Sequence, residues 1–183
     1  MFKRFYPDWY VDSAYQIDYE KLYEQGYRGI IFDVDNTLVE HGAPVTQRAV
    51  SLFDMLRKTG FDTCIISNNK EARVKPLADK VSSKYVSKAG KPSPVNYVKA
   101  MNMMGTDSSN TLFIGDQLFT DVWGANRADI KTILVKPIDP HEEIQIVLKR
   151  RLEWIVLHFY KKNERKYKGR DYITLKDRNY DRN

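Results

Sequence analysis

The chain has 183 residues, a net charge of +6 and a sequence pI near 9.2, a length that suits one domain with a sizeable core. A single cysteine, Cys64, excludes a disulfide framework and a cysteine-based zinc site. No segment reaches the roughly 18 apolar residues of a membrane span, and Met1 to Asp8 lacks the apolar region of a signal peptide. The chain therefore reads as cytoplasmic, either soluble or peripheral on the inner face of the cell membrane. Its charge is uneven. Residues 149–183 hold twelve Lys/Arg against five Asp/Glu, a net +7, which leaves the rest of the chain at −1. Such asymmetry points to an anionic partner surface, membrane or nucleic acid; a solvated helix end is the plainer alternative.

Residues 1–27 form an aromatic-rich segment whose rings are expected to pack on the domain or fill its edge, with Asp18 to Gln25 as a short helix. Gly29 to Phe32 is a continuous apolar run, the pattern of a strand covered on both faces of a parallel sheet. A helix over 46–59 follows, with Thr46 as N-cap and Gly60 as terminator. Phe61 to Ile66 reads as the second strand, and a helix over 70–81 contains Pro76, which is expected to divide it. Lys84 to Val86, Thr111 to Ile114 and Lys131 to Val135 complete five predicted strands. Helices over 93–104 and from Asp121 to about Ala128 separate the last three. This alternation specifies an α/β fold: a doubly wound, Rossmann-like, five-stranded parallel sheet. The chain divides into the segment 1–27, a core over 28–140, an amphipathic helix over 141–162 and a basic tail over 163–183 without predicted structure. In that helix Ile144, Val147, Leu148, Leu152, Ile155, Val156 and Phe159 form the stripe expected to dock on the sheet, widened by Trp154, Leu157 and Tyr160.

Polar clusters follow the apolar strands, and chemistry in open α/β sheets sits beyond the carboxyl ends of strands. After Phe32 come Asp33, Val34, Asp35, Asn36 and Thr37. Two carboxylates two positions apart, where the chain leaves a strand, suit an aspartate nucleophile and an aspartate acid/base over Mg²⁺; a solvated turn is the alternative. An EF-hand loop is excluded, because its glycine and glutamate positions hold Leu38 and Pro44. Ser67-Asn68-Asn69, Lys88-Ala-Gly-Lys91-Pro92 and Gly115-Asp116-Gln-Leu-Phe-Thr-Asp121 follow in order. Considered alone, Ser67 could be a helix N-cap and Asp121 a charge at a helix N-terminus. His41, His141 and His158 lack ligand spacing and read as structural or exposed.

This ordered set resembles the four motifs of the haloacid dehalogenase (HAD) superfamily. In detail it is similar to the capless subfamily IIIA phosphatases of the phosphatidylglycerophosphate phosphatase group. The resemblance implies a HAD-like fold without a cap domain and a phosphoric monoester hydrolase with an aspartyl-phosphate intermediate. It assigns Asp33 as nucleophile and Asp35 as acid/base. Mg²⁺ is held by Asp33, the Asp35 backbone carbonyl and Asp116. Thr37, Ser67, Asn68 and Lys91 attend the phosphoryl group, with Thr37 orienting its loop, and Asp121 supports Lys91 or a metal-bound water. The absent cap implies a bulky substrate or a neighbouring subunit as cover, so a homo-oligomer is one expectation. The substrate expected is a phosphorylated lipid headgroup such as phosphatidylglycerophosphate, met at an anionic membrane. The alternatives are a soluble sugar or nucleotide phosphate, or a non-catalytic assembly factor binding nucleic acid through the tail.

Overall fold

The structure, a computed structural model, describes residues 3–139 and 144–163, and in the final helix side chains over 151–160. Six parallel strands form one sheet: β1 (Trp9–Val11), β2 (Gly29–Phe32), β3 (Asp62–Ile66), β4 (Lys84–Val86), β5 (Thr111–Gly115) and β6 (Lys131–Val135). Their spatial order is β1-β6-β5-β2-β3-β4. The helices are α1 (Tyr19–Glu24), α2 (Gln47–Thr59), α3 (Glu71–Val81), α4 (Val95–Met104), α5 (Trp123–Asn126) and α6 (Ile144–Asn163). The chain runs outward through β3 and β4, then returns to pair β5 on the other side of β2. This reversal puts the topological switch point between β2 and β5, where an α/β sheet opens a crevice at its carboxyl edge.

The expected five strands become six because β1 pairs with β6 in register Trp9 to Ile133. Three residues are too few to show a period, but Trp-Tyr-Val has high strand propensity. Asp8 fixes the pairing: its Oδ2 accepts from the Thr132 amide at 2.9 Å and its Oδ1 from Lys131 Nζ at 2.7 Å.

Alternation along the strands builds two cores. Ile30, Phe32, Ile65, Leu112 and Ile114 face α2 and α3. Ile31, Cys64, Ile66 and Phe113 face α4, through Tyr97, Ala100, Met101 and Met104. Both faces are covered, which is why the strands read as unbroken apolar runs. Thr46 caps α2, its Oγ1 accepting from Ala49 N at 3.2 Å, and Gly60 ends it at φ 107°. Pro76 does not divide α3, which is continuous from Glu71 to Val81.

The aromatic N-terminal segment belongs to the same body. Tyr15 and Tyr19 are buried, and the Tyr15 hydroxyl donates to the Leu38 carbonyl at 2.5 Å, holding the loop after β2. Burial pushes the Tyr15 phenol up to about 12, against the Thr46 hydrogen bond and the Arg48 charge, so it remains a donor. Phe5 packs edge-on against Phe119 and Trp123.

The final helix docks on a face that keeps Val156 of the expected stripe and Tyr160 beside it but adds Glu153. Among its described side chains Glu153, Val156 and Tyr160 are buried, whereas Leu152, Ile155 and Phe159 of the expected stripe are exposed. Ile144, Val147 and Leu148 have side chains outside the described residues, as does the tail beyond Asn163. The reason is a polar contact. The buried Glu153 carboxylate accepts from the Leu118 amide at 2.7 Å, which fixes the rotation of a helix that is apolar on nearly every side. Glu153→Ala should therefore cost about 1.5–3 kcal/mol, with Glu153→Gln recovering part of it. Chemical denaturation checks this, and equal stability of all three proteins would contradict it.

Candidate active site

The candidate site is assembled from the carboxyl ends of β2, β3 and β5 and the loop after β4. Asp33 continues the ladder, its amide donating to the Ile114 carbonyl at 2.9 Å, so its side chain leaves the sheet beside Gly115 and Asp116. The chain then turns at once. The Val34 carbonyl accepts from Thr37 and Leu38 at 3.2 and 2.9 Å, and Asn36 is left-handed at φ 64°, a conformation asparagine tolerates. The Asn36 carbonyl in turn accepts from Ile138 N at 3.0 Å, tying the loop to the segment after β6.

Lys91 lies at the centre. Its Nζ donates to Asp33 Oδ1 at 2.5 Å and to Asp121 Oδ1 at 2.7 Å. All three side chains are buried. Its backbone is clamped by Asn68, whose Oδ1 accepts from Lys91 N at 2.8 Å and whose Nδ2 donates to Lys91 O at 3.3 Å. That side-chain role is additional to the backbone donor expected of Asn68. Asp121 sits in a π-helical turn, Leu118–Val122, and its Oδ2 accepts from Gln117 N at 3.0 Å.

Asp33, Asp116 and Asp121 are buried, and their ligand oxygens lie within 4.8 Å of one another. Three carboxylates against one ammonium leave this group two negative charges in excess. That balance and the all-oxygen donor set fit a hard divalent cation. Asp121 thus joins the acidic cluster, beyond its expected supporting place, whereas the Asp35 carboxylate is not among these ligand atoms. The Thr37 hydroxyl donates to Asp116 Oδ1 at 3.3 Å, which ties the loop after β2 to the acidic cluster. Burial pushes the Asp33 carboxyl up, opposed by the Lys91 charge and reinforced by Asp121. Burial also opposes the Lys91 charge, but Asp121 and Asp33 outweigh it and hold the ammonium well above its ordinary range.

Ser67 is buried, with its backbone held between β4 and the Lys91 loop: Ser67 N donates to Val86 O at 3.0 Å and Ser67 O accepts from Ala89 N at 2.9 Å. It is not a helix N-cap. Helix α3 starts at Glu71 after Lys70, and Ser67 Oγ accepts locally from Asn69 N at 3.2 Å. Asp35 turns to the rim, where it accepts from Gly42 N at 3.0 Å, Asn69 Nδ2 at 2.7 Å and Arg73 NH2 at 2.8 Å. Arg73 was not singled out from the sequence, and Asn69 stood only as the last residue of its motif, without a role. A charged residue in the first turn of a helix looks like an ordinary solvated position, and the only signal was its nearness to Ser67.

Gly115 matters for space. A Cβ there would meet Asp121 Oδ2 at 2.6 Å and Cγ at 2.7 Å. Since Asp121 is pinned on both oxygens, Gly115→Ala should displace it and lower turnover by roughly 10- to 100-fold, with a stability loss of about 1–3 kcal/mol. Steady-state kinetics at unchanged circular dichroism checks this; wild-type turnover would show that Asp121 moves freely.

Among the described residues α2 is the one helix between β2 and β3 and α3 the one between β3 and β4, consistent with the capless arrangement expected. Comparison with known proteins agrees with the geometry. Residues 88–137, which contain Lys91, Asp116 and Asp121, match the Hydrolase-like (HAD-hydrolase-like) family model. The Bacillus subtilis (strain 168) protein named "Probable phosphatase YqeG" is 37% identical over 164 residues, covering 88% of this chain and 95% of that protein. Phosphatidylglycerophosphate phosphatase 1, chloroplastic/mitochondrial, of Arabidopsis thaliana is 28% identical over 158 residues, 77% of this chain and 44% of that protein. The crystal structure of a HAD family hydrolase from Deinococcus radiodurans R1 with bound phosphate and sodium superposes with a TM-score of 0.53 at 16% identity. It covers 68% of this chain and 88% of that one, a likeness of fold. With these relatives and with Asp33, Lys91, Asp116 and Asp121 gathered at one sheet edge, the chain belongs to the HAD superfamily of hydrolases, among its phosphatases.

Proposed function

We propose that this protein is a Mg²⁺-dependent phosphomonoester hydrolase acting through an aspartyl-phosphate on Asp33, with a phosphorylated lipid headgroup such as phosphatidylglycerophosphate as substrate. The observation that carries the hydrolase chemistry is Lys91 Nζ held between Asp33 and Asp121 beside Asp116. In this reading an Asp33 oxygen attacks phosphorus, the ester P–O bond breaks, and the leaving alkoxide takes a proton from Asp35. Water then attacks the phosphorus, gives its proton to Asp35, and releases phosphate and the Asp33 carboxylate. Lys91 offsets the negative charge gathered on Asp33 and the phosphoryl oxygens, and the Ser67 hydroxyl and Asn68 amide donate to those oxygens. Asp33, Asp116 and the Asp35 carbonyl would hold Mg²⁺, which when bound neutralises charge on the phosphoryl group.

Three features support a lipid substrate. Among the described residues a single helix connects each of β2 to β3 and β3 to β4, which leaves no cap inserted there, and the Arabidopsis relative is named for a phosphatidylglycerophosphate phosphatase. Helix α6 also exposes Leu152, Trp154, Ile155 and Phe159 in a region of the chain with net +7. Each basic residue near an anionic leaflet contributes about 1 kcal/mol, and apolar side chains at the interface add to it. Among the described residues no helix is long and apolar enough to cross a membrane, so the association envisaged is peripheral. The test compares turnover of phosphatidylglycerophosphate in anionic vesicles with a panel of soluble sugar and nucleotide phosphates, with vesicle sedimentation in parallel. Preference for the vesicle substrate, abolished by chelation and restored by Mg²⁺, is expected. A soluble ester winning by orders of magnitude would overturn the lipid assignment alone. Salt-sensitive nucleic-acid binding by the tail with no phosphatase activity would overturn the enzyme.

A further inference from the structure

We propose that Arg73, oriented beside Asn69, forms a second anion subsite on the leaving-group side of the active site. The favoured substrates are then phosphomonoesters whose leaving group carries a phosphodiester. The inference rests on the reading above, in which Asp35 faces the leaving oxygen.

The two cations of the site do different work. Lys91 is buried and committed to Asp33 and Asp121, so its charge serves the phosphoryl group. Arg73 is placed at Asp35, with its NH2 at 2.8 Å from Oδ1. A group within one hydrogen bond of the leaving-group acid borders the leaving group itself. Asp35 does not depend on Arg73 alone for partners, since the Gly42 amide and the Asn69 amide also donate to it. The guanidinium brings more than a third hydrogen bond: a fixed positive charge and a planar fork of five N–H donors. Among the described residues Asp35 is the one hydrogen-bond partner of that fork, and the Arg73 side chain is 27% exposed, so part of it reaches solvent. Its root is firm, because Arg73 lies in the first turn of α3 and its amide donates to Lys70 O at 3.0 Å. A guanidinium anchored through one nitrogen and partly exposed suits the two unesterified oxygens of a phosphodiester, an anion that arginine binds in bidentate geometry.

The test uses two soluble substrates that leave as similar alkoxides, sn-glycerol 3-phosphate and a short-chain phosphatidylglycerophosphate below its aggregation threshold, so that membrane binding plays no part. Wild type is expected to favour the phosphodiester-bearing ester. In Arg73→Gln the ratio of the two kcat/KM values should fall by about 10- to 100-fold, mostly through KM, and Arg73→Lys should fall between. Equal losses on both substrates would make Arg73 a holder of Asp35 only and overturn the subsite. So would an unchanged ratio, or a wild-type enzyme that hydrolyses both without preference. A wild-type protein that turns over neither ester contradicts the phosphatase reading, and the subsite falls with it. Thermal melts of both variants exclude unfolding as the cause, since Arg73→Lys keeps the charge and the helical stem.

Discussion

Asp33→Asn should lower turnover of any phosphomonoester, including a generic aryl phosphate, by roughly 10³-fold or more while leaving the fold intact. The change removes one negative charge and keeps the shape of the side chain. An amide is a very poor nucleophile toward phosphorus, so the loss falls on the chemical step and appears in kcat. Stability should change little or rise, because Asp33 is buried among like charges and the variant relieves part of that excess. The discriminating pair is therefore kcat and the unfolding midpoint measured on the same preparation. Retained metal-dependent turnover in this variant would remove Asp33 as the nucleophile, whatever else the site does.

Lys91→Met should be damaging in both respects. The ammonium is the shared partner of Asp33 and Asp121, both buried. Removing one member of a buried ion pair leaves the other charge uncompensated, at a cost of about 3–5 kcal/mol. Here two carboxylates lose the same partner beside a third, Asp116. We expect loss of stability of that order and loss of turnover by roughly 10²-fold or more, since the charge opposing the phosphoryl group is gone. Added divalent cation should recover stability better than activity, because the acidic cluster remains while the positioned cation does not. Urea denaturation with and without Mg²⁺ checks the first point. A variant as stable as wild type without metal would show that the carboxylates are compensated by other means.

The residues that meet at the site were legible because each follows a strand, and strands read clearly in this chain. Asp33 after Gly29–Phe32 and Asp116 after Thr111–Gly115 needed only a short apolar run ending in acid. Lys91 and Asp121 were legible as members of an ordered set, though their direct contact is a fact of tertiary structure. Other features were not legible, for separate reasons. Strand β1 is three residues long and sits at the sheet edge, so its pairing with β6 is fixed by Asp8 rather than by a pattern. The docking face of α6 could not be read from apolar spacing because its apolar residues surround the axis. One buried glutamate, Glu153, decides the rotation. Arg73 escaped notice, and the role of Asn69 with it, because a polar residue near a helix start is common and uninformative until its partner is known, and the partner here is Asp35, more than thirty positions earlier.

The central claim is phosphoryl transfer to Asp33, and the most direct measurement is to catch it there. Wild-type protein is mixed with a phosphomonoester and Mg²⁺, quenched in acid within the first turnovers, and analysed by intact mass and peptide mapping. An adduct of one phosphoryl group is expected on the peptide containing Asp33, absent in Asp33→Asn and lost on treatment with hydroxylamine. Active protein that carries no adduct under any quench time, or an adduct on another residue, would contradict transfer to Asp33.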